Sequence, residues 1–225
     1  MFVSKSMTRK LITIGKETGI LEIRKIMSEN KVRHLPVVDD AGLLLGMVTD
    51  RDVRSAMPSV TSEDFNSKEE RRRLSELKAE DIMTADLVTV SPTYTLQDVL
   101  ILFQEHHFGA LPVIDDGGYL KGIISTRDLL RAFVNVMGIG EPGALVCIVA
   151  KHEVGQMKKI VDIITSENIS MGSILVSRHW EEGKRAVFPY LLTNKLARVK
   201  NKLKDAGYEL LDPMEWYLDQ MPKNE

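Results

Sequence analysis

The chain repeats itself without a gap. Shifting it by 76 residues lays Met7–Arg54 over Met83–Leu130, and 15 of the 48 aligned positions are identical. Met7-Thr8 meets Met83-Thr84, and the LITI run at Leu11–Ile14 meets LVTV at Leu87–Val90. HLPVVDD (His34–Asp40) meets ALPVIDD (Ala110–Asp116), and GMVTDRD (Gly46–Asp52) meets GIISTRD (Gly122–Asp128). The identities fall on turns, apolar strands and a strand-to-helix corner, so both copies must follow one backbone path. A unit of about 50 residues buries too little apolar surface to be secure alone. Two in one chain imply a pseudo-symmetric pair.

Each copy reads as a short extended piece (Leu11–Ile14), a helix over 19–30, and two strands at Leu35–Val38 and Leu43–Val48. An Asp-Asp-Ala-Gly turn joins the strands, and a second helix starts near Asp50. The later copy has its helix over Leu96–Glu105, its turn at Asp115–Gly118 and its last helix from Thr126. Between the copies, SKEERRRLSELKA (Ser67–Ala79) lacks Gly and Pro and predicts a helix. Acids outnumber bases around Arg71-Arg72-Arg73, so this helix reads as a solvated linker, not a nucleic-acid patch.

Past Val136 the pattern changes. Met137–Gly143 is a Gly-Pro linker, and Ala144–Ala150 is an apolar strand. An amphipathic helix follows over Gln156–Glu167, then strands at Ser170–Ser177 and Arg185–Thr193, a helix over Asn194–Asp205 and a strand at Tyr208–Leu211. The order β-α-β-β-α-β predicts a ferredoxin-like sandwich. The expected organisation is therefore a first repeat at 1–58, a linker helix at 59–80, a second repeat at 81–136, a linker at 137–143, a third domain at 144–213 and a tail at 214–225, all α/β.

Composition narrows the function. Net charge is −2 and the pI about 6.2, which gives no general attraction to nucleic acid or an anionic membrane. No apolar run approaches the roughly 18 residues of a membrane span. The first ten residues lack the apolar core of a signal peptide, so a cytosolic protein is expected. One cysteine, Cys147, excludes an internal disulfide and a multi-cysteine metal cage; it reads as a buried thiol in a strand. The histidines His34, His106, His107, His152 and His179 form no zinc-binding pattern, and His106-His107 suit a helix C-terminus. Trp180, Trp216 and Tyr217 do not interleave with bases and read as packing residues. No nucleophile is paired with a general base, so no catalytic residue is assigned.

The corner carries the chemistry. Thr49 ends an apolar strand and Asp52 falls in the first helical turn, where backbone N–H groups and the helix dipole attract anions. A carboxylate there can accept both hydroxyls of a ribose. Arg51 or Arg54 can reach phosphate. The later copy supplies Ser125, Arg127 and Asp128. Thr-x-x-Asp is also a capping box, in which the same groups only satisfy the helix start. The shared glycine three residues before the hydroxyl, the Arg before Asp and the upstream Leu-Pro favour binding over capping alone.

Both repeats resemble CBS domains (cystathionine-beta-synthase domains), and the pair resembles a Bateman module. GMVTDRD and GIISTRD match the family pattern Gly-hydrophobic-x-Thr/Ser-x-x-Asp/Asn. The resemblance implies clefts for adenine nucleotides (AMP, ADP or ATP) or S-adenosylmethionine, held as regulatory ligands. Asp52 and Asp128 would take ribose, and Thr49 and Ser125 ribose or phosphate. Ile12, Thr13 and Ile14 with Val32, Arg33, His34 and Pro36 would line one adenine pocket. Val88, Thr89 and Val90 with Phe108, Gly109, Ala110 and Pro112 would line the other. The sites differ: Arg33, His34, Arg51 and Arg54 of the first align with Gly109, Ala110, Arg127 and Leu130, with Arg131 next. More cations favour more phosphate charge at the first site.

The last third resembles an ACT domain, with His152–Met157 at the position of that family's Asp-x-Pro-Gly-x-Leu loop and Glu167–Ile174 at its Gly-Ile-Asn-Ile-like turn. Val154, Gly155, Gln156 and Ser170 are the implied amino-acid site; only Gly155 of the pattern is kept. Two CBS domains followed by an ACT domain is the arrangement of AcuB-like proteins, named for acetoin utilisation. It implies a regulatory homodimer. The rival readings are an interaction module with empty clefts and an enzyme of unrecognised type.

Overall fold

The computed structural model describes residues 1–57, 68–106 and 108–211. The chain divides into two compact units, Met1–Leu130 and Arg131–Glu225. The division falls inside a helix, short of Val136, where the sequence places the domain edge.

In the first unit the elements run α1 (Val3–Ser6), α2 (Ile20–Asn30), β1 (His34–Val38), β2 (Leu44–Thr49), α3 (Asp50–Ala56), α4 (Lys68–Glu76), α5 (Ala79–Ile82), α6 (Leu96–His106), β3 (Ala110–Ile114) and β4 (Leu120–Ser125). Helix α7 (Thr126–Met137) begins here and carries the chain on. β1 and β2 form an antiparallel hairpin with His34 opposite Thr49, and β3 and β4 repeat it with Ala110 opposite Ser125. Each hairpin has its irregularity at the same place, Val37/Val38 and Val113/Ile114. The turns explain the Asp-Asp-x-Gly pattern. Asp39 Oδ1 accepts the N–H groups of Ala41 and Leu43, and Asp115 Oδ1 those of Gly117 and Tyr119. Gly42 and Gly118 supply the positive φ that the turn requires, 86° and 82°. Helix α2 buries Ile20, Ile23 and Met27 against Leu35, Val37 and Val48, while α6 buries Leu96, Val99 and Phe103.

Each repeat pairs its own extended piece with its hairpin, Ile14 with Val37 and Val90 with Val113, in parallel. The repeats also exchange their leading segments. Thr8 pairs with Ile123 of β4, N–H to O in both directions at 2.9 and 3.0 Å. Thr84 pairs with Met47 of β2 in the same way, at 3.0 and 2.9 Å. Helix α1 follows its strand: Val3 N–H donates to Tyr94 O and Ser4 N–H to Pro92 O. Helix α5 does the reciprocal, with Ala79 donating to Thr18 O and Glu80 to Lys16 O. The hairpin tips meet on the pseudo-dyad, where Leu44 donates to Gly118 O and Leu120 to Gly42 O. The sequence reading opens the repeats at 1 and 81 and contains neither short helix. In the structure α5 starts at Ala79, and each copy docks its leading helix and Met-Thr segment on the other.

The exchange explains the glycine of the corner motif. A Cβ at Gly46 would stand 2.7 Å from Met83 Sδ and 2.9 Å from Thr84 O. At Gly122 it would stand 2.5 Å from Met7 Sδ and 3.1 Å from Thr8 O. These glycines are required by the incoming Met-Thr segment, so they do not argue for a ligand, as the sequence reading takes them to do.

Helix α4 ends at Glu76, short of the expected 79, and is not wholly solvated. Leu74 and Leu77 pack against the first repeat's core, and Arg73 Nη2 donates to Ala56 O at 2.9 Å, closing the end of α3. The rest of the expected linker, 58–67, lies outside the described residues.

The second unit contains β5 (Ala144–Leu145), β6 (Cys147–Lys151), α8 (Gln156–Ser166), β7 (Met171–Glu181), β8 (Lys184–Leu191), α9 (Ala197–Asp205) and β9 (Glu209–Leu211). β5 and β6 keep one register against β8, from Ala144 opposite Leu191 to Lys151 opposite Lys184. They act as the single strand that the apolar run predicts. Across the antiparallel sheet the order is β9-β6-β8-β7, that of a β-α-β-β-α-β sandwich. Val146, Ile148, Ala150, Val187 and Leu191 from the strands meet Ile160, Ile164, Val199 and Leu203 from the helices. Cys147 is buried, and burial raises its thiol pKa. Helix α9 starts at Ala197 and not at Asn194, because Thr193 Oγ1 accepts the Lys195 N–H and holds that stretch as a turn. The expected tail at 214–225, with Trp216 and Tyr217, lies outside the described residues. Among the described residues no helix is long and apolar enough to cross a membrane.

Replacing Gly46 by Ala should cost about 1–3 kcal/mol, because a backbone oxygen must move to admit the methyl group. Gly15→Ala, which meets nothing within 4 Å, is the control. Urea unfolding monitored by circular dichroism compares them; equal midpoints would contradict the packing role given to Gly46.

Candidate functional site

Thr49 leaves β2 in extended conformation and caps α3. Asp52 Oδ2 accepts the Thr49 N–H at 2.8 Å and the Thr49 hydroxyl at 2.7 Å, and the Asp52 N–H reaches Thr49 Oγ1 at 3.4 Å. The capping box is therefore formed. Ser125 and Asp128 form it again, at 2.9, 2.6 and 3.3 Å. A third Thr-x-x-Asp, Thr95 to Asp98 at the start of α6, makes the same three bonds. The cap alone thus marks a helix start and nothing more. What distinguishes Asp52 is where it stands.

A cleft of about 450 Å³ opens at the start of α3. Arg33, His34, Thr49, Asp50, Arg51, Asp52 and Arg54 line it from the first repeat, and Thr84, Phe108 and Gly109 from the second. It gathers the polar half of the expected first site. The apolar half is placed differently: Ile14 and Pro36 are buried, Ile12 and Val32 pack against the core, and Thr13 is exposed. None of these five lines the cleft. Phe108 and Gly109, expected at the second site, complete the first. Thr84 and Asp50 were not anticipated; the Met-Thr identity between repeats was the available clue to Thr84.

Both capping bonds of Asp52 fall on one oxygen, which leaves Oδ1 for other partners. Arg54 is engaged, with Nη2 at 2.9 Å from Asp50 Oδ2. Arg33 and Arg51 have no carboxylate within ion-pair distance among the described residues. His34 is half-buried against Gly109, where a Cβ would lie 3.1 Å from His34 Nε2. Desolvation, reinforced by the Arg33 charge, lowers the His34 pKa from its ordinary 6.5. The ring is thus neutral at pH 7. The alignment pairs Arg33-His34 with Gly109-Ala110, and the small pair makes room for the large one across the pseudo-dyad.

The second corner is more closed. Asp128 is 4% exposed, the Thr8 hydroxyl donates to its Oδ1 at 3.5 Å, and Ser125 occupies Oδ2. Val90, Ala110 and Pro112 are buried, Val88 and Thr89 are half-buried, and Arg127 is exposed. Leu130 stands exposed at the position of Arg54.

In the second unit the implied amino-acid site is split: Val154, Gly155 and Gln156 are consecutive, and Ser170 lines a different cleft from Gln156. Val154 is fully exposed and Gly155 holds φ 92°. Gln156 accepts the Tyr208 hydroxyl at 2.8 Å, donates to Glu153 at 3.3 Å, and borders a cleft of about 490 Å³ with Lys151 and Lys159. Ser170 lines a different cleft, at the start of β7. His106 stacks on Phe108 at 5.2 Å, a contact with an aromatic ring beyond its place at the helix end. His107 lies outside the described residues. Among the described residues no group of three or more His, Cys, Asp or Glu could hold a metal.

The CBS domain profile matches residues 3–59 and 79–135. A CBS domain-containing protein of Dictyostelium discoideum is 31% identical over 137 residues, which cover 61% of this chain and 94% of that one. Homoserine O-acetyltransferase of Methanococcoides burtonii is 33% identical over 129 residues, 57% of this chain; the match spans only 23% of the enzyme's length. Among solved structures, CBSX2 in complex with AMP is similar at 29% identity with a TM-score of 0.51, covering 59% of this chain and 96% of that one. A protein from Vibrio cholerae that carries the acetoin utilization name AcuB is similar at 28% identity with a TM-score of 0.52, covering 63% of this chain and 98% of that one.

Because its pKa is lowered in the fold, His34 makes the protein less stable as pH falls. The unfolded chain takes up the proton near pH 6.5 while the folded chain resists it. Stability should therefore fall from pH 7.5 towards pH 5.5 (roughly one unit either side of the ordinary histidine value), and part of that fall should vanish in His34→Ala. Thermal melts across this range check it; identical pH slopes for the two proteins would contradict it.

Proposed function

The chain belongs to the CBS domain family, with two CBS domains in tandem, and from that we propose that it senses an adenine nucleotide in the cleft at the start of α3. One observation carries the reading: a half-buried carboxylate with one oxygen uncommitted stands beside two unpaired guanidinium groups in a 450 Å³ cleft. Asp52 Oδ1 would accept the ribose hydroxyls, and the Thr49 hydroxyl would meet ribose or phosphate. Arg33 and Arg51 would take phosphate oxygens, for which a guanidinium fork is well shaped. The AMP held by CBSX2 supports the ligand class. The same two cations disfavour S-adenosylmethionine, whose sulfonium is positive. Arg54 could join only by leaving Asp50, so the nucleotides with more phosphate stand to gain most.

The second corner would bind weakly or not at all, since Asp128 is nearly out of reach. Binding, and not catalysis, is the role given to these residues. The signal would be a ligand-dependent choice between arrangements of a homodimer, passed to the ACT-like second unit of a cytosolic regulator. Amino-acid binding there has no single cleft behind it, because Ser170 lines a different cleft from Gln156. Acetoin utilisation enters only as the name of a similar protein.

A second reading has its own support: both capping boxes are complete without a ligand, so the pair could serve as an interaction module with empty clefts. Calorimetric titration with AMP, ADP and ATP separates the two. Affinity should rise with phosphate count. Asp52→Ala should lose about tenfold or more, the worth of a hydrogen bond to a charged group, while Asp128→Ala should change little. No heat with any nucleotide, or equal losses in the two variants, would overturn the sensor reading at this cleft.

A further inference from the structure

A cleft of the second unit includes Ser170, from the Glu167–Ile174 turn of the ACT resemblance, but none of Val154, Gly155 and Gln156. It has a volume of about 1020 Å³ and lies where the end of α8 and the start of β7 face the start of α9. Its floor is partly apolar, with Ile169, Leu192 and Leu196. Around it stand three cations, Lys195, Arg198 and Lys200. None of the three has an ion-pair partner among the described residues. The single acid on the lining, Glu167, is already neutralised by Lys202 at 2.5 Å. The cleft therefore holds an uncompensated charge of three in a chain whose net charge is −2. Like charges held around one hollow repel, and an anion would relieve that repulsion.

The backbone adds to this field. Helix α9 begins at Ala197 without a side-chain cap, so its first N–H groups are open at the same place. Asn168, Ser170 and Asn194 add neutral hydrogen-bonding groups on the lining. The volume reaches the upper end of small-molecule sites, roughly 300–1000 Å³, and the apolar floor suits an organic body behind an anionic head. We propose that this cleft binds a small phosphorylated metabolite, with Arg198, Lys195 and the first amides of α9 on the phosphate. The proposal is independent of the nucleotide cleft in the first unit.

The test is a titration of the full, isotope-labelled chain with inorganic phosphate, followed by amide NMR. Saturable shifts are expected at Ala197, Arg198 and Val199, and they should persist in Arg51→Gln, which weakens the other cleft. Arg198→Gln should lower the affinity by about tenfold, the usual worth of a charge-assisted contact. Lys204→Gln removes the same charge from the far end of α9 and should leave it within about twofold, as a screened distant charge should. Absent shifts at these amides would overturn the proposal. So would equal losses in the two helix variants, which would indicate general attraction to a basic helix and not a site.

Discussion

The fold of the first unit rests on one exchange: Thr8 pairs with Ile123 and Thr84 with Met47. Neither hairpin is a stable object by itself, since an isolated two-stranded hairpin is marginal in water. Each is flanked by a parallel bridge from its own repeat, Ile14 to Val37 or Val90 to Val113, and by an antiparallel bridge from the other repeat, and each short leading helix is anchored across the pseudo-dyad. The two halves are therefore interlocked and not merely adjacent. The close approach that locks them requires glycine at 46 and 122, so the motif glycine belongs to architecture. The same approach delivers Thr84 to one corner and Thr8 to the other, which is how a packing device comes to shape a site.

From this common frame the two corners diverge by a few side chains. Thr8 donates to Asp128 and helps close that corner, while Thr84 borders an open cleft beside Asp52. Arg33 and His34 occupy the room left by Gly109 and Ala110. A duplicated backbone thus yields unequal chemistry: one buried carboxylate with both oxygens bonded, and one half-buried carboxylate with an oxygen to spare. The neutral His34 adds no charge beside Arg33 and Arg51.

Local features were legible in the sequence, and reciprocal ones were not. The hairpins and their turns could be read because Asp39 and Gly42 act within a few residues of themselves. The β-α-β-β-α-β order followed from apolar periodicity at Ile160, Ile164, Val199 and Leu203. The exchange escaped because a Met-Thr segment repeated every 76 residues is equally compatible with docking on its own copy or on the other. Gly46 was misread for the same reason, its neighbour being remote in sequence. The membership of the cleft suffered likewise: Phe108 and Gly109 were assigned to the repeat that contains them, and the dyad hands them to the other. In the second unit, sequence similarity placed Gln156 and Ser170 in one site, but the helix between them puts them at opposite ends of the sandwich.

The account turns on Asp52 Oδ1 as the ribose acceptor. A crystal structure of the protein grown with AMP tests it most directly. The account predicts density in the α3 cleft with the ribose hydroxyls on Asp52 Oδ1, the phosphate on Arg33 or Arg51, and Asp128 still bonded to Thr8. Ribose on Asp128, or an empty cleft with Asp52 serving only its own helix, would contradict it.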